Sequence, residues 1–206
     1  MKRVDTVLAI GGLTVLVALM VGVLGYTAVS RPQGSSTAPF ELTTTRGEAI
    51  DQTAFRGKPS LLYFGYTHCP EVCPTTLVDM TQWLDLLGED ADRLQAFFFT
   101  VDPKRDTPEV MGPYVSAFSP RIVGVTGAEE EMRKVTDAWL VTAEQRGEGE
   151  DYSMRHMTSI YLIGANGRLA GLIPYGTEPE AAVRKIRDVL LTDHATASRP
   201  VADRAL

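Results

Sequence analysis

One stretch, residues 60–88, restricts the fold more than any other part of this sequence. Its opening apolar run, SLLYFGY, has the length and composition of a buried β-strand. Apolar residues then recur with helical spacing from Pro74 onwards, and Gly88 is a common residue type at the end of a helix. Both cysteines of the chain, Cys69 and Cys73, lie between the two segments. The stretch therefore predicts a strand–turn–helix unit that presents two thiols at its turn.

The region 40–193 continues with similar apolar runs that alternate with segments of helical periodicity. Asn166-Gly167 separates two of these runs and is a strong signal for a β-hairpin. The pattern predicts an α/β domain with a mixed sheet flanked by helices, and the cysteine motif after the first buried strand indicates a thioredoxin-like fold. The predicted strands are 40–42, 49–51, 60–66, 94–101, 121–125, 159–163 and 168–173, and the predicted helices are 74–87, 107–118, 128–140 and 177–191.

The composition is compatible with a globular core and narrows the class of partner. Hydrophobic residues make up 44% of the chain and charged residues 22%, which is ordinary for a folded domain. The net charge is −6. Nucleic-acid-binding proteins are expected to carry a basic face, so this balance argues against nucleic acid as a partner. It leaves a small cationic ligand open.

The N-terminal region predicts a transmembrane anchor. Residues 6–30 contain no charged side chain, and about 20 apolar residues are enough to cross a bilayer as a helix. Lys2 and Arg3 precede this run, which keeps residues 1–5 in the cytoplasm and places the rest of the chain on the far side. The alternative is a cleaved signal peptide, because Ala-Val-Ser at 28–30 resembles a cleavage site. The run is longer than a signal core of about 7–15 residues, which favours the anchor.

Polar segments flank the predicted domain. Residues 31–39 are rich in Pro, Gly and Ser and are expected to form a linker, whereas the tail, residues 194–206, lacks apolar periodicity and is expected to fray. The short basic N-terminus, without an Arg- and Ser-rich leader, indicates a bacterial inner-membrane protein whose domain lies in the periplasm. That compartment is oxidising, so a function that uses thiolates needs a reductant there.

Three roles fit two cysteines that are four residues apart. A structural disulfide across so short a loop removes little chain entropy, so its stabilising effect is small. A redox pair usually has Cys-x-x-Cys spacing, and here there is one residue more. A metal site uses two thiolates that converge on one ion from a helical turn. Pro74 favours the first helical position, which puts Cys73 near the helix N-terminus, where a thiol loses its proton more easily.

A metal site needs a third ligand, and the chain has three histidines. His194 lies in the predicted tail. His68 lies in a loop beside Cys69, where an exposed side chain is the simpler interpretation. His156 directly precedes a predicted buried strand. Because the central strands of such a sheet end near one another, where ligand sites gather, His156 has the strongest case of the three.

Three segments of the sequence carry a resemblance to a known family. They are GYTHCPEVCPTTL at 65–77, VDPKRDTPEVM at 101–111, and His156 followed by the strand and hairpin IYLIGANGRL. Together they closely resemble the Sco/SenC family of membrane-anchored copper proteins. The resemblance covers residues 38–192, and a membrane anchor ahead of the domain is also typical of the family.

This resemblance implies a thioredoxin-like domain in which Cys69, Cys73 and His156 bind one copper ion. It also implies a role in assembling the dinuclear copper site of cytochrome c oxidase, with the copper-site subunit as the partner. The donor set agrees, because two thiolates suit Cu(I) and an added imidazole lets the site hold Cu(II) as well. Zinc is a weaker alternative, since a structural zinc site normally has a fourth protein ligand.

The sequence departs from the family pattern on both sides of His156. Family members commonly carry an acidic residue before this histidine and a small hydroxyl residue after it, whereas here the neighbours are Arg155 and Met157. A neighbouring cation disfavours a bound cation, and a partner that orients the ring is missing, which affects Cu(II) more than Cu(I). Met154 and Met157 carry soft thioethers, but packing against the sheet or the hairpin is the simpler interpretation.

Three further residues are expected close to the thiols. Asp102 and Asp106 lie near the end of the second predicted buried strand, where they either orient ligands or dock a partner. Asp106 equally fits the role of a cap for the helix that follows. Tyr66 ends the first buried strand and is expected to form a wall of the pocket.

Two functions remain open for the cysteine pair, and they differ at His156. A metallochaperone would take copper from a periplasmic donor and pass it to the oxidase subunit, and it needs the histidine. A thiol–disulfide oxidoreductase would reduce the cysteines of the oxidase copper site with the help of a periplasmic thiol reductant, and it needs only Cys69 and Cys73. A redox or copper sensor is a third, weaker hypothesis.

Overall fold

A seven-stranded mixed sheet forms the centre of the fold. The computed structural model describes residues 39–197 of the chain, so the predicted anchor at 6–30, the linker up to residue 38 and the end of the tail lie outside the described residues. Within the described range, no helix is both long enough and apolar enough to cross a membrane.

The strands and helices follow the predicted alternation, and one additional hairpin is present. The strands are β1 Leu42–Thr44, β2 Ala49–Ile50, β3 Ser60–Gly65, β4 Gln95–Thr100, β5 Ile122–Thr126, β6 Ala143–Arg146, β7 Ser153–His156, β8 Ile160–Ile163 and β9 Leu169–Ile173. The α-helices are α1 Val72–Leu87, α2 Pro108–Ser116, α3 Glu129–Ala138 and α4 Pro179–Ala197, and short 3-10 helices cover Gln52–Phe55 and Gly88–Arg93.

The sheet has the strand order β2-β1-β5-β4-β3-β8-β9. Strands β3, β4 and β5 run parallel to one another, whereas β8 runs antiparallel to β3. All six residues of β3 are buried, which is why its sequence is a continuous apolar run and not an alternating one. The parallel strands end at the same edge of the sheet, where the segments after β3 and β4 meet.

The predicted class, a mixed sheet flanked by helices, is confirmed, with small differences at the element ends. Strand β1 begins two residues after the predicted start at 40. Helix α1 begins at Val72 with Glu71 as its N-cap, so Cys73 lies inside the first turn and Pro74 is not the first helical residue. Helix α4 continues to Ala197, past the predicted start of the tail at 194.

Strands β6 and β7 were not predicted from the sequence. They pair with each other in a two-stranded antiparallel sheet that is separate from the main sheet. All four residues of β6 are exposed, so the segment AEQR has no apolar periodicity that could indicate a strand. His156, expected in the segment leading into a buried strand, is instead the last residue of β7.

Candidate metal centre

The turn between β3 and α1 places the two cysteines differently. Cys73 lies in the first turn of α1 and is fully buried, whereas Cys69 is half-buried in the preceding loop. The two thiols are free and not joined by a disulfide. Gly65 makes room for them, because a Cβ at this position would lie 2.8 Å from Cys73 Sγ and 2.7 Å from Phe98 Cε2. The glycine is therefore a packing requirement of the buried thiol.

The hairpin β6–β7 brings the imidazole to the thiols. His156 Nε2 lies 3.4 Å from Cys73 Sγ. The ligand atoms of Cys69, Cys73 and His156 all lie within 4.8 Å of one another. Folding thus gathers three side chains that are up to 87 positions apart in the chain, from Cys69 to His156.

The tautomer of His156 leaves one nitrogen available for a ligand. Its Nδ1 lies 2.8 Å from the backbone oxygen of Met157, and a carbonyl oxygen can only accept a hydrogen bond. Nδ1 therefore carries the proton and donates it, so the lone pair of Nε2 faces the sulfurs. This carbonyl fixes both the orientation and the tautomer of the His156 ring. It therefore supplies the orienting contact that the sequence, with no acidic residue beside His156, does not indicate.

The pKa values of the two thiols shift in opposite directions. The Cys73 side chain, as a hydrogen-bond donor, lowers the pKa of the Cys69 thiol to about 5, although partial burial opposes this. The backbone N–H of Cys73, 3.4 Å from Cys69 Sγ, adds to the lowering. The same interaction with Cys69, together with burial, raises the pKa of the Cys73 thiol. The expectation that the Cys73 thiol loses its proton more easily is wrong, because this thiol is buried and the N–H of Cys73 in the first turn of α1 donates to Cys69 Sγ instead.

Two tyrosines contact the candidate ligands, Tyr63 at Cys73 and Tyr66 at His156. The hydroxyl of Tyr63, a fully buried residue of β3, donates to Cys73 Sγ at 3.4 Å. Burial raises the pKa of Tyr63, so its hydroxyl remains a donor. Tyr66 meets the His156 ring edge-on, with 5.7 Å between the ring centroids. The structure thus places Tyr66 beside the imidazole, and its role as a pocket wall stays a prediction.

The residues beside His156 point in different directions. Arg155 is exposed and lies opposite Glu144 in the hairpin register, whereas Met154 and Met157 are partly buried against the core. Met157 Sδ lies 3.9 Å from the hydroxyl of Tyr161, which donates to it. The two thioethers therefore pack, as the simpler interpretation expected, and the Arg155 cation lies on the exposed side of the strand.

Asp106 is not the cap of α2. That N-cap is Thr107, and no side chain caps the helix. The buried Asp106 carboxylate instead accepts hydrogen bonds from Thr67 N at 3.0 Å, from Thr67 Oγ1 at 2.5 Å and from Thr100 Oγ1 at 2.7 Å. Burial raises the pKa of this carboxyl group, although the two threonines oppose the shift. Asp106 therefore holds the loop that leads to Cys69.

Asp102 has two different partners. Its carboxylate accepts from Arg105 Nε at 2.5 Å and from the Tyr152 hydroxyl at 2.6 Å. Sequence reasoning did not single out Arg105 or Tyr152. Arg105 lies within the recognised VDPKRDTP segment, whereas Tyr152 is an isolated aromatic residue in a polar stretch and carried no usable signal.

The other two histidines are not brought into the cluster by any described contact. The His68 side chain is 52% exposed, and its Nδ1 lies 3.1 Å from Thr67 Oγ1 and 3.9 Å from a carboxylate oxygen of Asp106. The side chain of His194 is beyond the described side chains, which end at residue 192.

Two thiolates and one imidazole suit a single soft metal ion. Ligand atoms that are each about 2.0–2.3 Å from one ion lie roughly 3–4 Å apart, and the 3.4 Å between Cys73 Sγ and His156 Nε2 fits this. Among the described residues, the group of converging His, Cys, Asp and Glu side chains has three members, fewer than the four protein ligands of a structural zinc site. The residues present therefore fit copper better than structural zinc.

A thioredoxin-like domain with two cysteines after its first central strand and a histidine from a separate hairpin belongs to a class of proteins that handle thiols or soft metals. The sequence profile of the SCO1/SenC family matches residues 29–191, and the chain belongs to this family. The resemblance seen in the sequence is thereby confirmed.

Relatives of this chain include both bacterial and mitochondrial proteins. It is 39% identical over 133 residues to the SCO2-like protein of Rickettsia prowazekii, an alignment that covers 63% of this chain and 65% of the relative. It is 41% identical over 133 residues to the mitochondrial SCO1 homolog of Homo sapiens, covering 63% of this chain and 44% of the relative. The chain therefore spans less than two thirds of the length of these relatives.

A solved structure supports the fold at a similar level of identity. The copper-bound structure of Bradyrhizobium japonicum ScoI is 39% identical, with a TM-score of 0.69, and the alignment covers 74% of this chain and 98% of that chain. The structure of the described residues is thus shared with a Sco protein that holds copper.

Proposed function

We propose that this protein is a membrane-anchored copper-binding protein that helps assemble the dinuclear copper site of cytochrome c oxidase. It holds one copper ion through Cys69, Cys73 and His156. The observation that carries the proposal is the convergence of two sulfurs and an imidazole nitrogen within 4.8 Å of one another. Membership of the SCO1/SenC family and the copper-bound relative support copper as the ion.

The unequal burial of the ligands suits an ion that is taken up and passed on. Cys73 is buried and fixes the inner side of the site, whereas Cys69 and His156 are half-buried and reachable from solvent. Copper would stabilise the thiolate form of both cysteines, so binding releases the proton that Cys73 retains in the metal-free protein. A partner subunit can then approach the ion from the side of Cys69.

The same proposal includes a location and partners. The charge-free run at 6–30 anchors the chain in a bacterial inner membrane, with the domain in the periplasm. The partners are the copper-site subunit of the oxidase and a periplasmic source of copper or of reducing equivalents. An oxidising compartment makes such a reductant necessary, because the cysteines bind copper only in their reduced form, as thiolates.

A copper titration of the reduced full chain tests the site. We expect one copper ion per chain, whether the protein is titrated with Cu(I) or with Cu(II). His156→Ala should lower the Cu(II) affinity by about 100-fold or more, since losing a ligand exceeds the ~10–100-fold cost of losing an outer-shell partner. His68→Ala is the matched control, because it removes an exposed imidazole next to Cys69 and should leave affinity unchanged. Wild-type affinity in His156→Ala would refute the three-ligand site.

A second function, thiol–disulfide exchange, is favoured by one specific observation. Cys69 is half-buried with a pKa lowered to about 5, and it lies next to a buried thiol with a raised pKa. In exchange, the Cys69 thiolate would attack a disulfide of the oxidase subunit and form a mixed disulfide. Cys73 would then displace the substrate as a dithiol, leaving a Cys69–Cys73 disulfide for an external thiol reductant.

Two assays on the same variants distinguish the two functions. If exchange is the function, His156→Ala reduces the oxidised copper-site subunit as fast as the wild type, and Cys73→Ala accumulates the mixed disulfide. If copper delivery is the function, His156→Ala fails to load copper into a subunit whose cysteines are already reduced.

A further inference from the structure

One short loop contacts both segments of the chain that carry the candidate metal ligands. We define this bracket loop as residues 102–106, which connect β4 to α2. We call the β6–β7 hairpin the histidine arm and residues 66–73 the thiol arm. We propose that the bracket loop positions the two arms relative to each other, and that Arg105 is the positioning residue for His156. The proposal rests on the proposed copper site and adds the residues that set its geometry.

Arg105 joins the bracket loop to the histidine arm through several contacts. Its guanidinium carbon lies 3.6 Å from the centroid of the Tyr152 ring, which is a close cation–π contact. Its Nη1 donates to the backbone oxygens of Glu150 at 3.2 Å and Tyr152 at 3.0 Å. Tyr152 immediately precedes β7 and is four residues before His156. The arginine therefore holds the strand that carries the imidazole.

Asp102 closes this contact into a ring of three side chains. One carboxylate oxygen accepts from Arg105 Nε and the other accepts from the Tyr152 hydroxyl. The Arg105 side chain is only 17% exposed, so these charge-assisted bonds are partly shielded from water. Lysine could keep the charge but not the planar stacking and the forked hydrogen bonds.

Asp106 joins the other end of the bracket loop to the thiol arm. Its carboxylate accepts from both the backbone and the hydroxyl of Thr67, two residues before Cys69. Its backbone oxygen accepts from Thr126 Oγ1 at 2.6 Å, which ties the loop to β5. Within the loop, the backbone oxygen of Asp102 accepts from the N–H groups of Arg105 and Asp106. The two anchoring carboxylates therefore belong to one tight turn that is fixed to the sheet.

The histidine arm depends on contacts from outside the hairpin, because its two strands form a separate sheet. Its two strands pair only with each other and not with the seven-stranded sheet, and an isolated two-stranded hairpin is marginally stable in water. All four β6 residues are exposed, so this strand gives the hairpin little hydrophobic anchorage. The position of His156 Nε2 relative to the sulfurs thus depends on contacts such as those of Arg105.

The expected consequence is specific to the histidine. When Arg105→Lys loosens the hairpin, His156 should spend less time beside the cysteines, and Cu(II) affinity should fall by about 10-fold, the scale of losing a partner that orients a ligand. In a His156→Ala background the ligand is already absent, so Arg105→Lys should cause no further loss. A general destabilisation would instead lower affinity in both backgrounds.

The chain offers a matched control for this substitution. Arg93 also bonds an aspartate three residues earlier, Asp90, at 3.1 Å, and it also donates to a backbone oxygen, that of Leu190. It makes these contacts away from the metal centre. Arg93→Lys should therefore leave copper affinity unchanged.

The test is a double-mutant cycle on the full chain, reduced and titrated with Cu(II), using wild type, Arg105→Lys, Arg93→Lys, His156→Ala and Arg105→Lys/His156→Ala. The proposal expects about a 10-fold loss in Arg105→Lys alone and none on top of His156→Ala. Equal affinities of wild type and Arg105→Lys would overturn it. An equal further loss in the His156→Ala background would overturn it as well.

A second measurement keeps the test independent of copper. Amide hydrogen exchange of the metal-free full chain should show faster exchange in 143–146 and 153–156 for Arg105→Lys than for wild type or Arg93→Lys, with β3 unchanged. If wild type bound no copper, the proposed function would fail, and this exchange result alone would decide whether Arg105 positions the hairpin. Unchanged hairpin exchange in Arg105→Lys would overturn the positioning role.

Discussion

At the residue scale, the two thiols have different chemical environments although they are four positions apart. Cys69 is half-buried and accepts a hydrogen bond from the N–H of Cys73, one of the unpaired donors in the first turn of α1. Cys73 is buried between the Tyr63 hydroxyl and the His156 ring. One sulfur is therefore partly accessible to solvent, and the other is enclosed by its neighbours.

The pH profile of alkylation tests this difference. Because the pKa of Cys69 is lowered to about 5, its thiolate should predominate above that pH, and alkylation of Cys69 by iodoacetamide should be half-maximal near pH 5. Cys73→Ala removes the neighbouring thiol donor and should move the midpoint up, toward the ordinary cysteine range. A wild-type midpoint in that ordinary range would contradict the assigned environment.

Tyr63 is expected to tune the reduction potential of the pair. Its hydroxyl donates to Cys73 Sγ and stabilises the reduced sulfur, so Tyr63→Phe should make the potential more negative by about 10–30 mV, for a hydrogen bond of about 0.5–1.5 kcal/mol. Equilibration of the metal-free full chain with glutathione buffers measures this. Tyr161→Phe, which removes a hydroxyl that contacts Met157 and not a cysteine, should leave the potential unchanged.

At the element scale, the sequence predicts the buried elements well and the exposed ones poorly. Strands β3 and β4 are almost wholly buried, and their apolar runs predict them within one or two residues. Strands β6 and β7 are stabilised by pairing and by the Arg105–Tyr152 contact, and neither is visible as a local pattern. Gly147 and Gly149 have positive φ angles in the turn between the two strands, so the Gly-Glu-Gly segment indicates a turn there but not the strands on either side of it.

The end of α3 contains a strained residue whose replacement should stabilise the protein. Leu140 has a φ of 54° and is 68% exposed. The next residue, Val141, donates a backbone hydrogen bond of 2.8 Å to the carbonyl oxygen of Thr136, which ends the helix. A left-handed conformation costs a non-glycine residue about 1–2 kcal/mol, so Leu140→Gly should raise the free energy of unfolding by roughly 0.5–1 kcal/mol. Leu140→Ala keeps the Cβ and should bring no such gain in urea denaturation. Equal stabilities of the two variants would show that φ is not the cause.

At the scale of the whole molecule, the site is assembled from segments that are distant in sequence. Cys69, Cys73 and His156 could be proposed from residue type, spacing and family resemblance. Their supports could not, because the contact of Arg105 with Tyr152 joins residues 47 positions apart and leaves no local signature. Asp106 was ambiguous for the same reason, since Asp-Thr-Pro-Glu fits a helix start while its carboxylate serves Thr67.

The buried Asp106 makes a contribution to the pH dependence of stability that has a definite sign. Its pKa is raised by burial, so the folded state holds its proton more tightly than the unfolded state, and stability is lost as pH rises from about 3.8 through the folded-state pKa. Asp106→Asn lacks this loss. The unfolding free energy of the variant minus that of wild type should therefore increase with pH in this window, as measured by urea denaturation of the metal-free full chain.

Asp51 provides a control of opposite sign. It is fully exposed, and hydrogen bonds from Thr53 lower its pKa, so its contribution is present above the ordinary value and is lost as pH falls. The unfolding free energy of Asp51→Asn minus that of wild type should therefore decrease with rising pH. The same slope in both variants would contradict the assignment of the Asp106 effect to burial.

X-ray absorption at the copper edge of the full chain, loaded with one Cu(I), is the decisive measurement for the three-ligand site, because it counts the sulfur and nitrogen neighbours of the ion. We expect two sulfurs and one nitrogen in the wild type, with the nitrogen lost in His156→Ala and retained in His68→Ala. A wild-type ion bound by sulfur alone, or a nitrogen that persists in His156→Ala, would refute coordination by Cys69, Cys73 and His156.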